Sequence, residues 1–133
     1  MSTGRLVLAI VVVFVLISCL GFLLHARLLA PDYVAIGPAV FRMAEVKFPF
    51  IFGANLLIAI AMVLIYVRGV ENKPWFGQGI RFGILIWAVS AAPGFMYDYA
   101  TIHISDPLFV KEVVGHLVIT LINGLAIAAI VRE

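Results

Sequence analysis

The sequence predicts an all-α fold: a four-transmembrane-helix bundle in one domain spanning residues 1–133, with a short interfacial amphipathic helix between helices 1 and 2. Three observations predict it. Hydrophobic residues make up 65% of the chain, with a mean hydropathy of +1.19, and charged residues only 12%. Soluble domains run nearer ~45–50% apolar and ~25% charged, and a chain this short could not hide the excess in a water-facing fold. Four apolar stretches approach the ~20 residues that a helix needs to cross ~30 Å of hydrocarbon. The segments between them carry the charges, prolines and turn signals.

The first stretch, Leu6 to Leu24, is uncharged over 19 residues. That exceeds the ~7–15 residues of a signal-peptide core, and His25-Ala26-Arg27 follows where a small-x-small cleavage site would stand, so a retained helix is expected. The second runs from Phe48 to Val67 between Lys47 and Arg68. The third runs from Phe82 to about Tyr97 between Arg81 and Asp98, with Pro93 expected to bend its last turns. The fourth runs from Val113 to Val131, between Lys111-Glu112 and Arg132-Glu133.

Residues 25–47 form the longest connection, with turn signals at Pro31-Asp32 and Gly37-Pro38. In the AVFRMAEVK segment that follows, Val40, Phe41 and Ala44 share one helical face, and Arg42 and Glu45 stand three apart on another. This segment reads as the amphipathic interfacial helix, or as an early extension of helix two. The middle connection, 68–81, places Trp75 and Phe76 at headgroup level. With four spans, the side bearing both termini holds five Lys and Arg (Arg5, Arg68, Lys73, Arg81, Arg132), against four opposite (Arg27, Arg42, Lys47, Lys111). That bias points to cytoplasmic N- and C-termini.

In lipid, helices associate through small residues and polar contacts. Gly79 and Gly83, and Gly124 and Ala128, each stand four apart. Gly53, Ala54, Ala59 and Ala61 offer a small face on helix two. Asn55 and Asn123 lie at membrane depth and are expected to bond neighbouring helices, at ~0.6–2 kcal/mol each. Thr120 and Ser90 are expected to bond their own helix backbone.

Several chemistries are disfavoured. Nine basic against seven acidic residues, with no basic tract, leave no basis for a nucleic-acid partner. The single cysteine, Cys19, lies in an apolar run and permits neither an internal disulfide nor a C-x-x-C pair. No nucleophile–base set, phosphate loop or zinc motif is present, so neither catalytic residues nor a metal site are expected. Four-helix multidrug exporters are similar in length alone. They rest on a glutamate embedded in the first helix, which here is uncharged.

The remaining polar residues gather near one membrane face. His25, Asp98, His103, Glu112 and His116 form a possible polar cluster there, with Asp32 and Asp106 on the same side. His116 stands about one turn inside helix four and is the candidate ligand for a metal or tetrapyrrole, with His25 the only available second histidine for a haem. The plainer reading pairs Glu112 with His116 at i,i+4 and leaves His25 and His103 wet. No cofactor is favoured.

Gly79, Arg81, Phe82 and Gly83, within GQGIRFGILI, open helix three, and Tyr99-Ala100 follow about one helix later. This order resembles a loose group of small uncharacterised bacterial four-helix integral membrane proteins. The resemblance implies the fold and a bacterial inner membrane, and no activity. Four spans with short connections, small-residue helix faces and no chemical constellation make the expected function that of a non-catalytic integral membrane protein. It would be an accessory or structural subunit of a larger membrane complex, respiratory or photosynthetic, or a homo-oligomer, with lipid and other membrane subunits or itself as partners. A small oligomeric transporter or channel is the alternative, and metal or tetrapyrrole binding through histidine is a further one.

Overall fold

With no water in hydrocarbon to serve the backbone, each crossing segment must pair its own N–H and C=O groups. The computed structural model, which describes residues 1–132, meets this with helices and, among those residues, no strand. Four helical stretches, Thr3–Leu28, Phe48–Gly69, Trp75–Thr101 and Asp106–Val131, are long and apolar enough to span a membrane, so the chain is a multi-pass integral membrane protein.

Helix α1 covers Thr3–Phe22 and is capped by Ser2, whose hydroxyl accepts from the Arg5 N–H at 3.3 Å. It runs on without a break into a π-helical turn, Leu23–Leu28, closed by the Leu29 N–H on the Leu24 carbonyl at 2.8 Å. Helix α2, Ala30–Ile36, starts on Pro31 and ends at Gly37, whose φ of 90° suits glycine. The short helix between the first two spans is thus α2. The AVFRMAEVK segment, expected to carry it, runs as turns and extended chain. Gly37 isolates that segment on one side. Pro49 on the other side prevents its continuation into α3, Phe48–Gly69. The nine residues left lie below the ~12–15 that an isolated helix requires. Phe41 instead packs its ring on Tyr33, centroids 4.7 Å apart.

The third span starts earlier and ends later than expected. It consists of α4, Trp75–Val89, and α5, Ala91–Thr101. The polar GQG stretch is helical because buried Gln78 serves the preceding turn: its Oε1 accepts from the Glu71 N–H at 2.8 Å, and its Nε2 donates to the carbonyls of Glu71 and Lys73 at 2.8 and 2.7 Å. Glu71 also pairs with Lys73 and Arg81, which hold its carboxyl below the usual range. The bend falls at Ser90 (φ −121°, ψ −79°), three residues before Pro93. Proline cannot donate to the carbonyl four residues back, and its ring crowds that group, here on Val89. Helix α6, Asp106–Val131, starts about two turns before the expected Val113, with the Ser105 hydroxyl accepting from the Leu108 N–H at 3.3 Å.

Helix α6 is the central element: α1, α3, α4 and α5 all pack on it, and α3 also packs on α1. The main core joins Ala9 and Val13 of α1, Ala59, Val63 and Tyr66 of α3, and Ile127 of α6. The tightest approach is α4 on α6. A Cβ at Gly83 would stand 2.7 Å from the Thr120 carbonyl and 2.9 Å from Leu121 Cα, and one at Gly79 would stand 2.9 Å from the Gly124 carbonyl and 3.1 Å from Ala128 Cβ. The Trp87 indole donates to the Val113 carbonyl at 2.9 Å further along the same seam. The expected packing role of Gly79, Gly83, Gly124 and Ala128 is therefore met within one chain.

G83A should destabilise the protein by ~1–3 kcal/mol, since backbone must yield to the new methyl. G53A, where a Cβ meets nothing within 4 Å, should cost no stability. Denaturant unfolding in detergent micelles, followed by circular dichroism, compares the two.

Candidate functional site

The membrane-edge ends of α1 and α6 meet through a small device. Gly115 leaves room for Leu24, whose methyls would otherwise lie 2.8 Å from a Cβ there. That contact sets the next residue on each helix, His25 and His116, side by side. Their Nε2 atoms are 2.9 Å apart, and the rings lie 5.1 Å apart at 51°. Phe95 of α5 flanks His116 at 4.8 Å.

Helix α2 completes the arrangement. Tyr33 places its hydroxyl 2.5 Å from His25 Nδ1 and donates to Glu112 Oε1 at 3.0 Å. One hydroxyl has one proton, and here it goes to the carboxylate, so Tyr33 accepts from His25 Nδ1–H. With Glu112 ionised, His25 is then the Nδ1–H tautomer, its bare Nε2 accepts from His116 Nε2–H, and the order of donation is His116, His25, Tyr33, Glu112. Two of these links place a donor on a carboxylate or on a residue bound to one, which orients the rings firmly. Lys111 anchors α2 from outside, donating to the two carboxyl oxygens of Asp32 at 3.1 and 2.9 Å. Burial drives the Tyr33 phenol well above its ordinary range, and the Glu112 and Asp32 carboxylates push it the same way.

This chain of donors stands at the end of a cavity of about 1110 Å³ between α1, α3, α5 and α6. The cavity forms because α3 packs on α1 and α6, while α5 packs on α4 and α6, so the flank between α3 and α5 is left open. Its walls are largely apolar, with Phe52 of α3 and Phe95 of α5 on the two flanks. Polar groups enter at two depths. At the edge are His25, His116, Tyr33 and exposed Asp98; deeper are Ser18, Asn55, Thr120 and Asn123. Seven residues separate His25 from Ser18 and His116 from Asn123, about 10 Å of helix rise in each case.

The proposed polar cluster is thus reproduced in part. His25, Glu112 and His116 come together, Asp98 borders the same cavity, and His103 is exposed and outside it. The expected pairing of Glu112 with His116 is replaced: Glu112 takes Tyr33 and His116 takes His25. Nor is His25 a wet residue, being part-buried between Tyr33 and His116. Tyr33 was missed because it sits in the long connection. Its one signal is that Pro31-Asp32 starts a helix just before it. Asn55 bonds across helices as expected, its Nδ2 donating to Ser18 Oγ at 3.2 Å. Asn123 does not: its Nδ2 donates to Ile119 in its own helix at 2.8 Å, and its buried Oδ1 has no partner. Ser90 and Thr120 bond their own helix carbonyls, at 2.5 and 3.0 Å.

As a haem site the histidine pair has no room, since iron and its macrocycle would have to lie between two nitrogens already in direct contact. Among the described residues, no group of three or more His, Cys, Asp or Glu side chains could hold a metal ion. No family model, curated protein or solved structure matches the chain.

The Tyr33 shift has a definite sign. A phenol whose folded value lies above its unfolded value, about 10, contributes stability in full below pH ~10, and that contribution is lost as pH rises toward the folded value. Absorbance at 295 nm should therefore show folded wild type and Y33F titrating alike up to pH ~11. An additional tyrosinate in wild type near pH 10 would contradict the buried, carboxylate-facing hydroxyl.

Proposed function

We propose that this protein is a non-catalytic, membrane-embedded subunit that packs laterally against other membrane subunits or against copies of itself. The observation that carries this reading is the outer face of α3. Gly53, Ala54 and Ala61, with Phe50 and Leu57, lie on one side of that helix and are exposed, opposite buried Ala59, Met62 and Tyr66. A Cβ at Gly53 would meet nothing within 4 Å. Small residues of the α4–α6 seam are covered by their own chain, whereas Gly53, Ala54 and Ala61 of α3 are exposed. In lipid, a small-residue face is the surface on which a second helix approaches closely. An accessory place in a respiratory or photosynthetic complex of a bacterial inner membrane is the concrete form of the proposal. Cytoplasmic termini follow from the charge bias, five Lys and Arg against four. The termini lie together, with Arg5 reaching the Arg132 carbonyl at 3.4 Å.

Native membranes solubilised in mild detergent test this. The chain should migrate in a band well above a few copies of 14.5 kDa, with defined co-purifying proteins or as a fixed multiple of itself. G53I should shift it to a smaller band while leaving its helical content unchanged. A wild-type band no larger than a single chain in its micelle would refute the proposal.

A further inference from the structure

The cavity between α3 and α5 has a property that lipid tails alone do not satisfy. Asn123 borders it, is 0% exposed, and keeps an Oδ1 with no hydrogen-bond partner. The orientation of that amide is fixed, because its Nδ2 is committed to the Ile119 carbonyl. A buried acceptor left unmet costs ~1–3 kcal/mol, and an acyl chain offers it no donor. An occupant with an O–H or N–H group would supply the missing donor.

A second polar point lies on the same face of α6. His116 borders the cavity two turns away, about 10 Å along the axis. Two hydrogen bonds of about 2.8 Å and the width of one six-membered ring account for such a spacing. The path between the two points is unobstructed by other demands, since Thr120 directs its hydroxyl to Leu117 in its own helix. The cavity is of the size that takes a drug-sized molecule, ~300–1,000 Å³ or slightly more. It opens sideways between α3 and α5, the direction from which a membrane-dissolved compound arrives. Phe52 and Phe95 offer aromatic surface to a flat ring on the two flanks.

We infer that this cavity binds a lipid-soluble aromatic ring with hydroxyls at opposite edges, a compound of the hydroquinone class, held between Asn123 and the His116–His25 pair. One hydroxyl donates to Asn123 Oδ1. The other donates to His116 Nδ1, the one ring nitrogen of the pair that the ordered chain through Tyr33 to Glu112 leaves unengaged. An apolar tail on the ring leaves through the lateral opening. The two polar points of this site, Asn123 and His116, lie on α6 and away from Gly53 of the outer α3 face, although Ala61 borders both, so the variants G53I and N123L test the two readings separately.

The test compares two probes on purified full-length protein in mild detergent: a decyl-substituted hydroquinone kept reduced, and its dimethyl ether, which has nearly the same shape and no O–H. Binding is read by calorimetry and by quenching of tryptophan fluorescence, against empty micelles. The hydroquinone should bind saturably at one site per chain, and the ether at least about tenfold more weakly, the value of one or two hydrogen bonds. N123L should weaken the hydroquinone by about tenfold and leave the weak ether binding unchanged. Equal binding of the two probes would overturn the inference, as would hydroquinone uptake no greater than by empty micelles. Should N123L fail to fold, the two probes on wild type still decide.

Discussion

The structure depends on the close approach of α4 to α6 along Gly79, Gly83 and Gly124. Leucine gains nothing by leaving lipid for another leucine, so ordinary hydrophobic burial cannot hold these helices together. Direct backbone contact can, because it maximises dispersion over a long seam. Its geometry propagates. Gly83 sits against Thr120 and Leu121, one turn along α6 from His116, and Trp87 continues the seam to Val113. The depth of α4 against α6 thus sets where α4 must end. Pro93 then turns the chain, and α5 returns to α6 with Phe95 beside His116.

Polar groups placed among these apolar helices follow one rule with one exception. Ser90, Thr120, Asn55, Trp87 and Gln78 each find a backbone or side-chain partner at 2.5–3.2 Å. The His116–His25–Tyr33–Glu112 chain satisfies its members in series, so that removing any one leaves its neighbour short of a bond. Among the buried side-chain atoms of the described residues, Asn123 Oδ1 alone is left out. A rule kept so consistently gives the exception its weight.

What could be read from sequence divides along physical lines. Lipid as solvent constrains composition strongly, so four spans and a helical fold follow from apolar runs alone. The glycine seam was legible as well, because Gly79/Gly83 and Gly124/Ala128 carry a four-residue spacing that survives in three dimensions. Span ends were less legible: Gln78 and Arg81 read as loop because a polar residue that serves a turn from within a helix looks like a turn residue. The site was legible only as a list. His25, Glu112 and His116 could be placed on one face, but their partners depended on α2, whose seven residues begin at a proline and contribute Tyr33. Pairing by i,i+4 spacing chose Glu112 with His116. Side chains from other helical segments won the two contacts, Tyr33 of α2 that with Glu112 and His25 of the π-helical turn that with His116.

The π-helical turn at Leu23–Leu28 makes the site sensitive to counting. One residue more than an α-helical turn requires is accommodated there, and each residue of an α-helix advances the face by about 100°. Everything before the turn, including Ser18 opposite Asn55, keeps one register, and everything after it keeps another. Histidine 25 therefore faces α6 by virtue of a length rather than of a composition. A lineage that lost one residue between Ser18 and His25 would keep its hydropathy, its span and every side chain of the donor chain, and would keep His25 against His116 only by closing the π-helical turn into an α-helical one.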